Sequence, residues 1–185
     1  MGLRLFTGID VPYEMRRNLE LLLHHLKPTA DISWSPLDNL HITTKFIGDW
    51  PEERVGEVQE VLEAVTKPGP LKIAIRGLGW FPNPHSPRVF FVNVQGPLEL
   101  TRMAAETESV CEMLGIQREG REFKPHLTLA RIKRPTDLLK LKQTIAALPS
   151  VEFGAYTADA FHLYQSELRP GGSVYTKLAS YPLFK

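Results

Sequence analysis

The chain has 185 residues, of which 43% are apolar and 23% are charged. Those proportions are typical of a folded globular protein of one domain, and they exclude an intrinsically disordered chain. The formal net charge of +1 also excludes a protein that coats nucleic acid through its overall charge. No apolar run approaches the roughly 20 residues of a membrane span, and the N-terminus lacks a signal peptide. We therefore expect a cytoplasmic monomer with no membrane partner.

Apolar periodicity predicts alternating strands and helices. In the first half the pattern predicts a strand over 3–11, a helix opened by Pro12, a strand over 41–46, a helix with Pro51 at its first position, a strand over 71–75 and a turn-rich loop over 79–87. In the second half it predicts a strand over 89–94, a helix over 97–114, a strand over 125–132, a helix capped by Thr136, and strands around 161–164 and 174–178.

A set of features recurs in the same order in the two halves of the chain. The copies are Arg4, Phe6, Pro12, His41 and Thr43 in the first half and Arg88, Phe90, Pro97, His126 and Thr128 in the second. Pro12 precedes His41 by 29 positions, and Pro97 precedes His126 by the same number. A duplicated unit can bring two copies of one motif together across a pseudo-symmetric cleft.

The repeat and the mixed elements together predict an α+β fold. We expect one domain over 1–185, with an internal repeat of roughly 1–87 and 88–185. Its two pseudo-symmetric lobes would be antiparallel sheets with outer helices, and the active site would lie in the cleft between them.

The two His-x-Thr elements are the best candidates for catalysis. Alternation along a strand places His41 with Thr43, and His126 with Thr128, on one face. Taken singly, each motif is more commonly an ordinary strand segment, but a matched pair permits a division of labour. One neutral imidazole can take a proton from water while the other, protonated, donates to the leaving oxygen of a phosphodiester. The sequence does not decide which histidine has which role.

Metal and cofactor chemistry have little support in the sequence. A zinc site needs three or four protein ligands, and the His-x-Thr strands offer no third ligand, HExxH motif or cysteine pair. The chain also lacks a phosphate-binding GxxxxGK[ST] loop. We therefore predict catalysis with no metal and no cofactor.

The segments RLFTGIDVP, DNLHITTKFIG, GLGWFPNPHSPRVFFVNV, FKPHLTLAR and LYQSELRPGGSVYTKLASYPL span nearly the whole chain. They resemble the 2H phosphoesterase superfamily, in particular its bacterial and archaeal branch once named 2′-5′ RNA ligases. The resemblance implies a two-lobed fold with a positively charged cleft. It also implies hydrolysis of RNA 2′,3′-cyclic phosphate ends to a 2′-phosphate, with ligation as a weaker reverse activity.

Three further residues are candidates for contacts with the substrate. The resemblance implies that Arg131 binds phosphate, although strict alternation puts it on the face opposite His126. Alternation puts Lys45 on the His41 face, as a phosphate contact or a solvated cation. Phe46 is a candidate for stacking on a base, at about 1–3 kcal/mol per base, and equally a candidate core residue.

Two other functions remain open. The fold could retain RNA ends or nucleotides without turnover, although the four intact His and Thr residues argue against a degenerate binder. The same chemistry could act on small cyclic nucleotides. The segment 118–134 carries six cations and two anions, and this mildly favours a longer polyanion such as RNA.

Overall fold

Residues 2–184 of the computed structural model form nine strands and four helices. The strands are β1 (Gly2–Asp10), β2 (Ser33–Trp34), β3 (His41–Pro51), β4 (Leu71–Phe81), β5 (Val89–Gln95), β6 (His126–Arg131), β7 (Glu152–Ala158), β8 (Ala160–Arg169) and β9 (Gly172–Pro182). The helices are α1 (Tyr13–Leu26), α2 (Val55–Glu63), α3 (Leu98–Glu112) and α4 (Leu139–Ala146). None of the helices in these residues is long and apolar enough to cross a membrane.

The strands form two sheets in which all paired strands are antiparallel. One sheet has the order β3-β1-β8-β9, and the other has the order β2-β6-β5-β4-β7. We call them sheet A and sheet B. The predicted α+β fold with two pseudo-symmetric lobes is confirmed.

Each sheet takes strands from both halves of the sequence. In sheet A, β8 from the second half pairs with β1 from the first. In sheet B, β4 from the first half pairs with β5 from the second, across the connection that contains position 87. The halves 1–87 and 88–185 are therefore interleaved, and neither lobe can form from one half alone.

The helices cover the sheets with the apolar faces that their periodicity predicts. In α1 the leucines 19, 22, 23 and 26 are all buried. Val58 and Leu62 of α2 are buried in the same way, as is Cys111 of α3. Burial raises the pKa of the Cys111 thiol to about 11, as expected for a packing residue rather than a nucleophile.

Two predicted helix starts are wrong. Pro51 ends β3, and a 3₁₀ turn over Glu52–Arg54 separates it from α2. Thr136 does not cap α4, because its hydroxyl donates to the Arg134 carbonyl while Asp137 accepts the backbone N–H of Leu139.

The sequence pattern missed parts of sheet B. β2 has only two residues, too few to show a period, and β7 lies at the sheet edge with most of its side chains exposed or half-buried. β4 also continues to Phe81, into the segment predicted as a loop. Pairing with β5 holds this end of β4 extended despite its glycines and its proximity to prolines.

Candidate active site

The two predicted histidines lie at the first positions of β3 and β6. These strands belong to different sheets but contact each other. His41 and His126 are close enough for their charges to interact. The structure thus brings the two motifs together in the cleft between the lobes.

Both imidazoles are held in the same way by the backbone. Nδ1 of His41 lies 2.7 Å from the Asn39 carbonyl oxygen, and Nδ1 of His126 lies 2.7 Å from the Lys124 carbonyl oxygen. A carbonyl can only accept, so each Nδ1 carries the proton. In the neutral form each Nε2 is then the basic nitrogen, available for proton transfer. Because every residue carries a backbone carbonyl, the sequence holds no signal for this arrangement.

A β-bulge follows each His-x-Thr element. Thr43 pairs with Gly8 of β1 and Lys45 with the preceding Thr7, so the intervening Thr44 has no partner of its own. In sheet B, Leu129 is the extra residue between Thr128 and Ala130. Both strands consequently show the same burial pattern, with two successive buried residues after the threonine and an exposed residue next.

The bulge corrects the prediction for Lys45. Because the extra residue reverses the alternation, Lys45 points away from His41 and its side chain is only 1% exposed. Its Nζ lies 2.8 Å from a carboxylate oxygen of Glu108 and donates to the Gln117 carbonyl at 2.6 Å. Lys45 therefore ties β3 to α3, and its predicted position on the substrate face is wrong.

The bulges in β3 and β6 also bring Phe46 and Arg131, respectively, to the face of the histidines. Strict alternation had placed Arg131 on the face opposite His126, and that expectation is wrong because Leu129 is the extra residue. The guanidinium lies close enough to His41 and His126 to lower the pKa of both. Phe46, at the equivalent position of β3, is 42% exposed. It is a surface residue, with the Arg4 guanidinium 5.1 Å from the centre of its ring.

Burial is the largest influence on both histidines. It lowers the pKa of His41 and of His126 below the ordinary value of 6.5, although the Asn39 and Lys124 carbonyls act in the opposite direction. The positive charge of Arg131 lowers both further. Both imidazoles are therefore mostly neutral at pH 7, and a bound phosphate anion would favour protonation of one of them.

The two threonines differ in their contacts. The Thr43 hydroxyl lies 2.8 Å from Nε2 of His41, to which it can donate when the imidazole is neutral. Thr128 is half-buried on the same face as His126. Both threonines are half-buried two positions after their histidine.

Aromatic rings surround each histidine, and the sequence analysis missed most of them. The Phe6 and Tyr175 ring centres lie 4.6 and 5.1 Å from that of His41. Those of Phe81 and Phe91 lie 5.0 and 5.3 Å from that of His126. Alternation along β1 could have identified Phe6, but Tyr175 comes from a distant strand. These rings account for the burial of the imidazoles.

A surface cavity adjoins the residues that contact His41, although neither histidine lines it. This cavity of about 530 Å³ is lined by the turn before β3 and by the β8–β9 hairpin, including Asn39 and Tyr175. That volume is within the range of small-molecule sites. Among residues 2–184, no group of three or more His, Cys, Asp or Glu side chains is arranged to hold a metal ion.

Comparisons with known proteins identify the family of this chain. The family model for LigT-like phosphoesterases matches the chain twice, over residues 9–91 and 92–175. The chain is 36% identical to the protein named RNA 2′,3′-cyclic phosphodiesterase of Archaeoglobus fulgidus, over 95% of this chain and 98% of that protein. It is 31% identical to the protein of the same name from Methanothermobacter thermautotrophicus, over 99% of this chain and 100% of that protein.

Solved structures show the same fold. The chain superposes on the crystal structure of TT0787 of Thermus thermophilus with a TM-score of 0.82 and 31% identity, covering 98% of each chain. The Escherichia coli LigT complex with 3′-AMP gives a TM-score of 0.79 at 24% identity over the full length of both chains, a likeness of fold alone. The resemblance to the 2H superfamily is confirmed, and this chain belongs to its LigT-like phosphoesterase family.

Proposed function

We propose that this protein is an RNA 2′,3′-cyclic phosphodiesterase that opens the terminal cyclic phosphate and leaves a 2′-phosphate. The observation that carries the proposal is the pair of histidines whose Nδ1 is bound to a backbone carbonyl, which leaves Nε2 of each neutral imidazole as the basic nitrogen. Relatives of matching length carry that activity in their names. Two positioned imidazoles are the minimum that acid–base hydrolysis of a phosphodiester requires.

The proposed reaction is an in-line displacement at phosphorus. Nε2 of one neutral histidine takes a proton from water as the water oxygen forms a bond to phosphorus. The bond from phosphorus to O3′ breaks on the opposite side, and the protonated Nε2 of the other histidine donates its proton to O3′. The product has a 2′-phosphate and a 3′-hydroxyl. A 5′-hydroxyl of a second RNA in place of water would give the weak 2′-5′ ligation.

Charge on the nonbridging oxygens would be stabilised by groups on the same face. The hydroxyls of Thr43 and Thr128 and the guanidinium of Arg131 are the proposed donors. Each makes a hydrogen bond to an ionised group, worth about 1.5–3 kcal/mol. Their distribution over two strands from two sheets would let them contact different oxygens of one phosphate.

The rest of the RNA end would extend from the cleft over exposed residues. The cavity beside His41 is the proposed place for the nucleoside. Phe46 remains a prediction for stacking, supported by its exposed ring. Of the six cations in 118–134, two lie against acids outside that segment, since Arg118 pairs with Glu112 and Arg134 with Asp31. Arg131 is the cation of this segment whose charge acts on both histidines.

The decisive test is product identity. Purified protein treated with chelator would be incubated with a short oligoribonucleotide that ends in 2′,3′-cyclic phosphate, and the products separated against 2′- and 3′-phosphate standards. We expect a 2′-phosphate in the presence of chelator. A His41→Ala/His126→Ala double variant controls for contaminating nuclease.

The alternatives predict other results. Binding without turnover would support a module that retains RNA ends. Turnover of 2′,3′-cyclic mononucleotides with no action on the oligonucleotide would support a small-molecule substrate. Both histidines come from one chain, so the proposed reaction needs no second copy. The monomeric state and the cytoplasmic location stay predictions.

A further inference from the structure

The first strand carries an arginine on the face that holds His41. The Phe6 ring packs against the His41 ring, with 4.6 Å between their centres. Arg4 lies two positions before Phe6, so alternation along β1 puts both side chains on the cleft face of sheet A. Arg4 is exposed, and its guanidinium lies 5.1 Å from the centre of the ring of Phe46, the strand partner of Phe6. The face of the histidine therefore continues to a cation beside an exposed aromatic ring.

The contact with Phe46 leaves the Arg4 guanidinium able to bind an anion. Packing against a ring restrains the guanidinium without using its N–H donors. Among residues 2–184, no carboxylate lies within ion-pair distance of Arg4, including that of its strand partner Asp49. Arg4 also belongs to the features repeated in the two halves of the sequence. The reaction as described gives it no role.

Tyr175 connects Arg4 to the catalytic centre. Arg4 is the strand partner of Ser166 in β8, and Ser166 is the strand partner of Tyr175 in β9, so the three form one row across sheet A. The Tyr175 ring reaches towards His41, with 5.1 Å between the ring centres. Burial raises the pKa of Tyr175, whereas the positive charges of Arg131 and Arg4 both act to lower it. The Tyr175 hydroxyl thus lies near two guanidinium groups, one from each sheet.

This arrangement matches the order of groups at an RNA end. The proposed function places the cyclic phosphate between the histidines and the nucleoside in the cavity that Tyr175 lines. In an oligonucleotide the 5′ oxygen of that nucleoside carries the next phosphodiester, which a cyclic mononucleotide lacks. Because Arg4 lies in the same row as Tyr175, its cation is available to a phosphodiester that leaves the cavity. A cation and an aromatic ring are the groups with which proteins commonly bind a nucleotide of a single strand.

We propose that Arg4 and Phe46 form a subsite for the nucleotide that precedes the cyclic-phosphate nucleotide. The Arg4 guanidinium binds the phosphodiester that joins the two nucleotides, and the Phe46 ring stacks on the preceding base. The inference rests on the proposed function and deepens it, because it makes an oligonucleotide, rather than a mononucleotide, the preferred substrate. Neither residue touches the reacting phosphate, so the subsite contributes to binding and not to proton transfer.

The test compares two substrates that share one terminal base. One is a 2′,3′-cyclic mononucleotide, and the other is a dinucleotide that ends in the same 2′,3′-cyclic phosphate. The ratio of their kcat/KM values measures the contribution of the preceding nucleotide and does not depend on the active fraction of a preparation. We expect the wild-type protein to favour the dinucleotide by about tenfold or more, because the dinucleotide gains a charged hydrogen bond and a stacked base.

Two variants remove the proposed contacts one at a time. Arg4→Ala and Phe46→Ala should each lower the ratio by about threefold to tenfold, mainly through KM for the dinucleotide. Arg4→Lys should keep part of the preference, since it keeps the charge. Arg102→Ala is the matched control, because it removes the same charge from an exposed position of α3. The control should leave the ratio unchanged.

Modified dinucleotides locate each contact. A neutral methylphosphonate in place of the joining phosphodiester should abolish the effect of Arg4→Ala, and an abasic preceding nucleotide should abolish that of Phe46→Ala. Two changes that remove the same contact are not additive, whereas changes at independent sites are. Additive losses would overturn the assignment of that contact. A purely structural role would lower turnover of both substrates alike and leave the ratio at its wild-type value.

Failure of the subsite and failure of the proposed function give different results. Equal kcat/KM for the two substrates in the wild-type protein would overturn the subsite while supporting the proposed hydrolysis. No turnover of either substrate would refute the proposed function. Calorimetric binding of the dinucleotide product, which ends in a 2′-phosphate, would then test the subsite by itself. Weaker binding by Arg4→Ala than by the wild-type protein would support the subsite, and equal binding would overturn it.

Discussion

The β3 element of sheet A and the β6 element of sheet B share one backbone design. Each starts at a histidine held by a carbonyl two residues earlier, and each has a bulge directly after its threonine. The side chains around this common frame differ. The position that is Lys45 in β3 is Ala130 in β6, and the strand partners are Asp10 and Asn93.

The two copies therefore share their backbone geometry and differ in the side chains around it. The shared frame supplies two imidazoles with matched orientation. Lys45 binds Glu108 of α3, whereas the small Ala130 only packs in the core. The symmetric features should therefore matter equally for turnover, whereas Lys45, which has no charged counterpart in β6, should matter for stability.

The largest effect on turnover is expected for substitution of His41 or His126, which occupy equivalent positions in β3 and β6. His41→Ala and His126→Ala should each lower kcat by about 10²–10⁴, because each removes one positioned proton transfer. The measurement is single-turnover hydrolysis of the cyclic-phosphate oligonucleotide at saturating protein. The double variant should be little worse than either single variant, since the two groups act as a unit. Full activity in either single variant would remove that histidine from the mechanism.

The next largest effect is a loss of stability on substitution of Lys45, whose equivalent in β6 is Ala130. Lys45→Met should destabilise the fold by about 3–5 kcal/mol, because it leaves the Glu108 carboxylate buried without its cation. Urea unfolding measures this loss. Lys45→Met/Glu108→Met should recover much of the stability by removing both charges.

Turnover distinguishes the predicted position of Lys45, on the substrate face, from the observed one against Glu108. The folded fraction of Lys45→Met should retain KM near the wild-type value, because the side chain points away from the cleft. A large rise in KM with unchanged stability would indicate that Lys45 contacts the substrate.

A smaller effect on kcat/KM is expected when the hydroxyl of Thr43 or of Thr128 is removed. Thr43→Val and Thr128→Val should each reduce kcat/KM by about tenfold to a hundredfold, as one hydrogen bond to a charged phosphate is lost. Steady-state kinetics of the two variants, with Thr44→Val as the control, measures it. Thr44 is buried beneath the bulge and its hydroxyl lies 2.7 Å from that of Thr7. Equal losses in the control would point to strand geometry rather than to the hydroxyls.

The smallest effect concerns pH. Burial lowers the pKa of both histidines below 6.5. The base must be neutral and the acid protonated, so the maximum of kcat/KM lies midway between two values below 6.5. A profile of kcat/KM against pH should therefore peak below pH 6.5. A peak above pH 7 would show that burial does not dominate these histidines in the free protein.

The sequence predicted the main elements of this molecule because their signals are local. Apolar periodicity identified α1 and the long strands, and the matched spacing to His41 and His126 indicated the duplication. The repeat was read one residue out of register at its start. Phe6 lies on the face of the histidines, whereas its supposed counterpart Phe90 is fully buried opposite Ala130.

The sequence by itself determined that this chain forms an α+β domain with two His-x-Thr strands. Only the tertiary structure decided which side chains join them. Alternation fails at a bulge, and a bulge is set by pairing with a neighbouring strand, so the faces of Lys45 and Arg131 could not be read from their own segments. Asp10 likewise meets Tyr164 and Lys177 only because β8 and β9 cross into sheet A. Such contacts depend on which strands pair, and a local pattern carries no information about that.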